Sequence, residues 1–516
     1  MKLIPTILLS LVAFSDLSAQ DDGRKDISWY IAHCPFRMQA PLLPSFPDRD
    51  FRVSDYGAIP DGHTLNTAAF QKAIRACADA GGGRVVVAPG KWLTGPIELV
   101  SHVNLYIATG AVVQFTPDHT QYPIELGHGG ADVVSPVSAR DAEDIAITGN
   151  GTLDGAGETW RPVKKEKMTP GQWAALLASG GAVSPDGKIW WPTREAMNGE
   201  AWLRKLRGRP GLTPADYLPA RDFLRPVLCN LVNCRRILIS GVLLRNSPKF
   251  VFYPSHCAGL TMDHVRIFNE WWAQNGDGID ISASNNVLLY ACDVNAGDDG
   301  ICMKSSGAGK DGEGHDDAGH DGEGHDRAGK DGPALHDVIV ARCRVGRAHG
   351  GFVIGSNTDG GMHDIFVSDC TFTGTDVGLR FKSSMGKGGL VDDIFIDNIR
   401  MRNIAHEAVL FDTYYENREA GHMVDPNRPE LRDKTPEFTN FHISHIYCDG
   451  ARTGISITGL PAMPVSDIHF DTVDIRASKG LVATEAKKIF LRAVKFDIKD
   501  GPAIYADKTA EIIVED

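Results

Sequence analysis

The chain has 516 residues, 42% of them hydrophobic and 23% charged, with a formal net charge of −13. This is the ordinary balance of a soluble globular protein, and with no basic stripe to neutralise phosphates it argues against a nucleic-acid partner. Length alone suggests two to four domains, a prior that repeat folds break.

In chain order, the first element is MKLIPTILLSLVAFSDLSAQ. One lysine precedes about a dozen apolar residues and the small pair Ser18-Ala19, which predicts a cleavable signal peptide over 1–19. The stretch is too short to span a bilayer. No cysteine follows to take a lipid, and no second membrane candidate appears, so export to the periplasm or beyond is expected, without membrane insertion. Residues 20–516 are read as one domain. Residues 66–83, NTAAFQKAIRACADAGGG, predict a short helix. Phe70, Ile74 and Cys77 share a face, Thr67 or Asn66 can cap it, and the glycines stop it. GNGTLDGAG at 149–157 lacks the spacing of a dinucleotide loop and reads as a turn between coils.

From about residue 236 a template recurs: apolar, any, apolar, any, any, apolar, any, apolar. Its first positions are Ile237, Leu260, Val287, Val338, Ile365, Ile394, Phe441, Ile468 and Ile489. Its sixth are Val242, Val265, Cys292, Cys343, Cys370, Ile399, Ile446, Val473 and Val494. Alternation within each unit means strand, and recurrence every 21 to 29 residues, with two longer gaps, means stacked coils. A leucine-rich repeat would need a Leu/Asn pattern that is absent. The fold class is therefore all-β, a β-helix in which each unit buries its apolar side only against its neighbours. The helix at 66–83 would plug its open end. Cys292, Cys343 and Cys370 fall in one inward column and read as core thiols. A disulfide such as Cys229 with Cys234 stays open.

Three stretches leave the repeat and read as loops, which usually build the site. Residues 158–225 carry the helix-like runs TPGQWAALLASGG and TREAMNGEAWLRKLRG. Residues 307–333 nearly duplicate a ten-residue unit holding His315, His320 and His325, read as a repeat-expanded loop rather than a metal tract. Residues 414–438 are polar, with Tyr414 and Tyr415 at their start as weak site candidates. No metal or cofactor is expected.

A second strand recurs as Gly278-Ile279, Gly300-Ile301, Gly351-Phe352 and Gly378-Leu379. The residues before each glycine lie in a turn, where in/out alternation lapses, so Asp298 and Asp299 are both expected to face solvent. Asp277 falls in the column of Asp299, one coil away at about 4.8 Å, and His349 falls in the column of Asp298. Arg380 and Lys382 follow on the next strand but one. Asp and Gly are standard turn residues, yet stacked like charges destabilise unless used or neutralised. Neighbouring carboxylates raise one another's pKa, so one can stay protonated as a general acid while others act as bases. Asp298 is expected to be that acid, with Asp277 and Asp299 activating water and His349 tuning the proton. Glycoside hydrolysis uses this division.

Asn275-Gly-Asp277, Gly297-Asp298-Asp299-Gly300, Ala348-His349-Gly350 and Arg380-Phe-Lys382 resemble the four signatures of family 28 glycoside hydrolases, the polygalacturonases. That family's usual forms are Asn-Thr-Asp, Gly/Gln-Asp-Asp, Gly/Ser-His-Gly and Arg-Ile-Lys. The departures fall at Gly276, Ala348 and Phe381, none of which carries the family chemistry. DYGAIPDG and APGKWLTGPIEL upstream look like the family's first coils. The resemblance implies a right-handed, single-stranded parallel β-helix, hydrolysis with inversion, and a pectic polysaccharide or oligogalacturonide as substrate. It also implies that Arg380 and Lys382 bind a galacturonate carboxylate. Inversion needs the acid and base about 6.5–9.5 Å apart. Asn275, Trp271 and Trp272 are candidate substrate contacts, and bulky loops beside them favour exo action. Rival readings are a rhamnogalacturonan or decorated-pectin hydrolase, a calcium-dependent pectate lyase and a non-catalytic carbohydrate-binding solenoid. Oligomeric state is left open.

Overall fold

The computed structural model describes residues 25–127, 130–306, 335–415, 434–499 and 501–515. The leader over 1–19, the whole 307–333 insert with its three histidines, and residues 416–433 of the third loop lie outside them.

The chain winds as a right-handed parallel β-helix with three strands to a coil. One coil is Cys229–Val232, Arg235–Ser240 and Leu243–Arg245. Each of these pairs in parallel with its counterpart in the next coil, Phe252–Ser255, Ala258–Asp263 and Arg266–Phe268. The inward column is the one read from the sequence: Ile237, Leu260, Val287, Val338, Ile365, Ile394, Phe441, Ile468 and Ile489 stand opposite one another in turn.

The template's odd spacing has a backbone cause. The residue just before each sixth position is left-handed: Gly241, His264, Ala291, Arg342, Asp369, Asn398, His445, Thr472 and Ala493, with φ between 51° and 73°. That bend resets the alternation, so the third and sixth positions both reach the core. For non-glycine residues it costs about 1–2 kcal/mol each, which stacking above and below must offset. Cys292, Cys343 and Cys370 are buried in this column, and all ten cysteines are free thiols, including Cys229 and Cys234.

The plug helix runs Thr67–Asp79 and buries Ala69, Phe70, Ala73, Ile74 and Cys77. Asn66 occupies the N-cap without capping by its side chain. Its amide instead bridges Ile59, Thr64 and Leu93, tying the plug to the first coil. A second short helix, Ile27–His33, lies outside the stack, where Tyr30 packs on Leu288, Ile339, Ala341 and Phe366. The sequence pattern did not announce it, because these anchors occupy outward positions of the strands.

The 158–225 insertion folds as expected around helices Pro170–Ala178 and Arg194–Leu206. Its root is fixed by Trp160, buried against Tyr122 and His119, and by Arg161. The Arg161 guanidinium donates to Ser247 O at 2.5 Å and Asn246 Oδ1 at 3.0 Å. Among the described residues no helix is long and apolar enough to cross a membrane.

Candidate active site

Strands Ile279–Ser282, Ile301–Lys304, Gly350–Ile354 and Val377–Lys382 lie side by side in four successive coils. The turns that enter them are tight: a Cβ on Gly300 would meet Val345 Cγ1 at 2.5 Å and Gly350 O at 2.9 Å. Only glycine lets the coils stack there. Gly278 N donates to Asp299 O at 2.9 Å and His349 N to Asp298 O at 2.8 Å, so Asp277 does stand beside Asp299, and Asp298 beside His349. One oxygen from each of Asp277, Asp298 and Asp299 lies within 4.8 Å of the others. Between these nearest oxygens the gap is tighter than the separation expected for an inverting pair.

The expectation that both members of the Asp298-Asp299 pair face solvent is wrong. Asp299 is 1% exposed and Asp277 4%, whereas the Asp298 side chain keeps 19%. Asp298 turns to the cleft, where its Oδ1 lies 2.9 Å from His349 Nδ1 and also accepts from Asp299 N at 3.0 Å. Asp299 turns over the strand. Its Oδ1 is 3.0 Å from Arg380 Nη1 and its Oδ2 2.9 Å from Lys382 Nζ. The ring of Tyr415 covers both cations, 5.2 Å from the Arg380 guanidinium and 4.5 Å from Lys382 Nζ.

These contacts set the charges. Burial pushes Asp299 up, but Lys382 and Arg380 outweigh it and hold the carboxyl below its usual range. Burial likewise acts on Asp298, and there the hydrogen bond from His349, with the charges of Lys382 and Arg380, depresses it well below the ordinary value. Asp277 goes the other way. Burial comes first, then repulsion from Asp280, Asp298 and Asp299, and Lys304 at 3.7 Å offsets only part. In the free protein these contacts favour a proton on Asp277 and the ionised form of Asp298.

The other expected contacts divide. Arg380 and Lys382 reach the site, but as partners of Asp299; Arg380 gives it one of its five donors. Trp271 is 37% exposed, whereas Trp272 packs against Val163, Trp173 and Trp190 inside the insertion. Asn275, left-handed at φ 50°, spends its side-chain oxygen on Arg225 Nη2 at 2.9 Å, so it braces the turn.

Sequence reasoning missed three groups. Asp376 continues the Asp298–His349 column, its Oδ2 lying 3.9 Å from His349 Nε2; the same alignment points to it. Lys304 sits two residues beyond Cys302 and lies within 4 Å of both Asp277 and Asp280, at 3.7 and 3.8 Å. Lys167, from the insertion, places Nζ 3.0 Å from His349 Nε2, and no repeat register predicts it. A resident metal does not suit the carboxylate trio, because both oxygens of Asp299 are already matched by protein cations.

Residues 223–489 match the model of the glycosyl hydrolases family 28. A probable polygalacturonase of Vitis vinifera is 24% identical over 449 residues, spanning 84% of this chain and 75% of that one. An exo-poly-alpha-D-galacturonosidase of Dickeya chrysanthemi is 26% identical over 419 residues, 79% of this chain and 64% of that one. Among solved structures, an exopolygalacturonase from Thermotoga maritima superposes with a TM-score of 0.66 at 23% identity, over 91% of this chain and 94% of that one. A family 28 exopolygalacturonase from Yersinia enterocolitica gives 0.67 at 19%, over 91% and 78%.

Proposed function

The chain belongs to family 28 of the glycosyl hydrolases, and from that premise we propose that it is a polygalacturonase that hydrolyses α-1,4-linked galacturonic acid in pectic polymers by exo action. The observation that carries the reading is the meeting of three carboxylates from two coils within 4.8 Å, with His349 from a third coil and two cations from a fourth.

The charge pattern suggests how one proton serves the cycle. In the free enzyme the surroundings favour it on Asp277. A galacturonate carboxylate entering beside Arg380 and Lys382 takes up part of their field, which raises the proton affinity of Asp298. The proton passes to Asp298, leaving Asp277 and Asp299 ionised. Asp298 then protonates the glycosidic oxygen as the C1–O bond breaks. Water adds to C1 from the opposite face and gives its proton to Asp277. The leaving sugar departs with a new hydroxyl, and the resting state, Asp277 protonated and Asp298 ionised, is restored. Addition from the opposite face inverts the anomeric centre, the outcome the family resemblance implies, even though single oxygens of the trio approach within 4.8 Å, closer than the usual inverting separation.

Exo action is supported by the insertion, whose Lys167 reaches Trp271 O and Gly297 O beside the catalytic turns, and by the exo-acting relatives named above. On polygalacturonate, reducing ends should accumulate while viscosity stays high, with single galacturonate as the first product. An early collapse in viscosity would refute exo action. The leader-like pattern over 1–19 supports export, and the continuous stack supports one catalytic domain over 20–516.

A further inference from the structure

We propose that Lys167 is the positioning residue that fixes the tautomer of His349, and so decides which oxygen of Asp298 carries the transferable proton; this rests on the acid role of Asp298 given above. Lys167 ends the short 3-10 turn Lys165–Lys167 in the insertion. Its Nζ donates to Gly297 O at 3.0 Å and Trp271 O at 3.3 Å, and lies 3.0 Å from His349 Nε2. An ammonium has three donors and no acceptor capacity. Three acceptors therefore use it completely, and it ties the insertion to the catalytic turn rather than waiting for substrate.

Nε2 can take part only through its lone pair. His349 is then neutral and protonated at Nδ1, which donates to Asp298 Oδ1 at 2.9 Å. That oxygen also receives Asp299 N–H, so both its acceptor directions are filled. A proton on Asp298 must sit on Oδ2, the oxygen left for the glycosidic bond. Without Lys167, Nε2 is free to hold the ring's single proton, and the neutral ring switches tautomer.

Several charges bear on this ring. Asp298 and Asp376 flank it from the neighbouring turns of the same column, and Asp376, at 3.9 Å from Nε2, favours a proton there. Lys167 opposes it from closer range, with Lys164 and Glu166 behind it on the insertion. Beyond Asp298 stand Asp277, Asp299, Arg380 and Lys382. Burial and Lys164 lower the Lys167 ammonium from its usual value, and Asp298, Asp376 and Glu166 oppose that shift.

The test compares the full-length protein with Lys167→Met and Lys167→Gln. Two readouts are used: the 15N signals of the labelled His349 ring, and the pH dependence of kcat, whose basic limb reports the acid in the substrate complex. The wild type should show a neutral ring protonated at Nδ1. Lys167→Met should show a proton at Nε2. Removing a cation beside the acid raises its pKa, so the basic limb should move up by about one pH unit. Lys167→Gln keeps an N–H donor without the charge; it should retain the wild-type tautomer yet still shift the limb, and it serves if the methionine variant does not fold. Wild-type ring signals in Lys167→Met, or an unmoved basic limb in either variant, would overturn the proposal whatever the overall rate. If instead Asp298→Asn kept its turnover while the His349 tautomer still depended on Lys167, the acid assignment would fail and the tautomer control would stand.

Discussion

Asp298→Asn is expected to lower kcat on polygalacturonate by at least about a hundredfold, the scale of losing a general acid, with KM little changed. The asparagine oxygen can still accept from His349 Nδ1 and from Asp299 N, the two bonds that hold Oδ1, so the turn should keep its shape. What is lost is the hydroxyl on the other oxygen. A reducing-end assay, run beside a melting curve that shows an intact fold, checks it. Full turnover by this variant would remove Asp298 from the mechanism and favour a non-catalytic sugar-binding role for the groove.

The second large effect is a pair of opposite signs. Asp277→Asn should also cost at least about a hundredfold in kcat, because the water loses its proton acceptor, yet it should stabilise the fold at neutral pH. The folded pKa of Asp277 is raised above its unfolded value by burial and three neighbouring carboxylates. Its contribution to stability is thus fully present below the unfolded pKa of about 3.9 and is lost as pH rises toward the folded value. Asparagine does not titrate and escapes that loss. The melting temperature of the variant should exceed that of the wild type at pH 7, and the gap should close as pH falls toward about 4.

Asp299→Asn should do the reverse. Asp299 is depressed in the folded protein by Lys382 and Arg380, so its contribution is present above the unfolded value and lost as pH falls through the folded one. Removing the carboxylate strands two buried cations, whose side chains are 14% and 6% exposed, and breaking such a pair costs about 3–5 kcal/mol. Melting curves of both variants from pH 4 to 8 separate the two signs. Equal shifts in the same direction would mean that the trio does not share its charge in this way.

Much of this site was legible from residue order because a solenoid converts spacing into neighbourhood. Once Ile279, Ile301, Phe352 and Leu379 are aligned, the positions of Asp277, Asp298, Asp299, His349, Arg380 and Lys382 follow, and the pairings of those four apolar residues bear the alignment out. Asp376 was equally readable there, one coil beyond His349. Which carboxyl the surroundings favour for the proton was not. Counting like charges ranks Asp298 and Asp277 alike; the difference comes from which of them meets His349 and the Arg380–Lys382 pair and which is left with Lys304, a matter of side-chain direction within a two-residue turn. Lys167 was illegible for a different reason: it lies in an insertion with no register, so nothing in its sequence neighbourhood ties it to a histidine 182 positions away. Trp272 shows the same limit from the other side, since an aromatic placed beside a catalytic turn turned out to pack the insertion's own core.

The most direct measurement is proton NMR and mass analysis of the first product released from polygalacturonate, taken before mutarotation. Acid and base drawn from neighbouring coils, with a single proton cycling between Asp277 and Asp298, predict a saturated galacturonate whose new reducing end is β. An unsaturated product would mean elimination, and an α-configured first product would mean retention; either would contradict the mechanism.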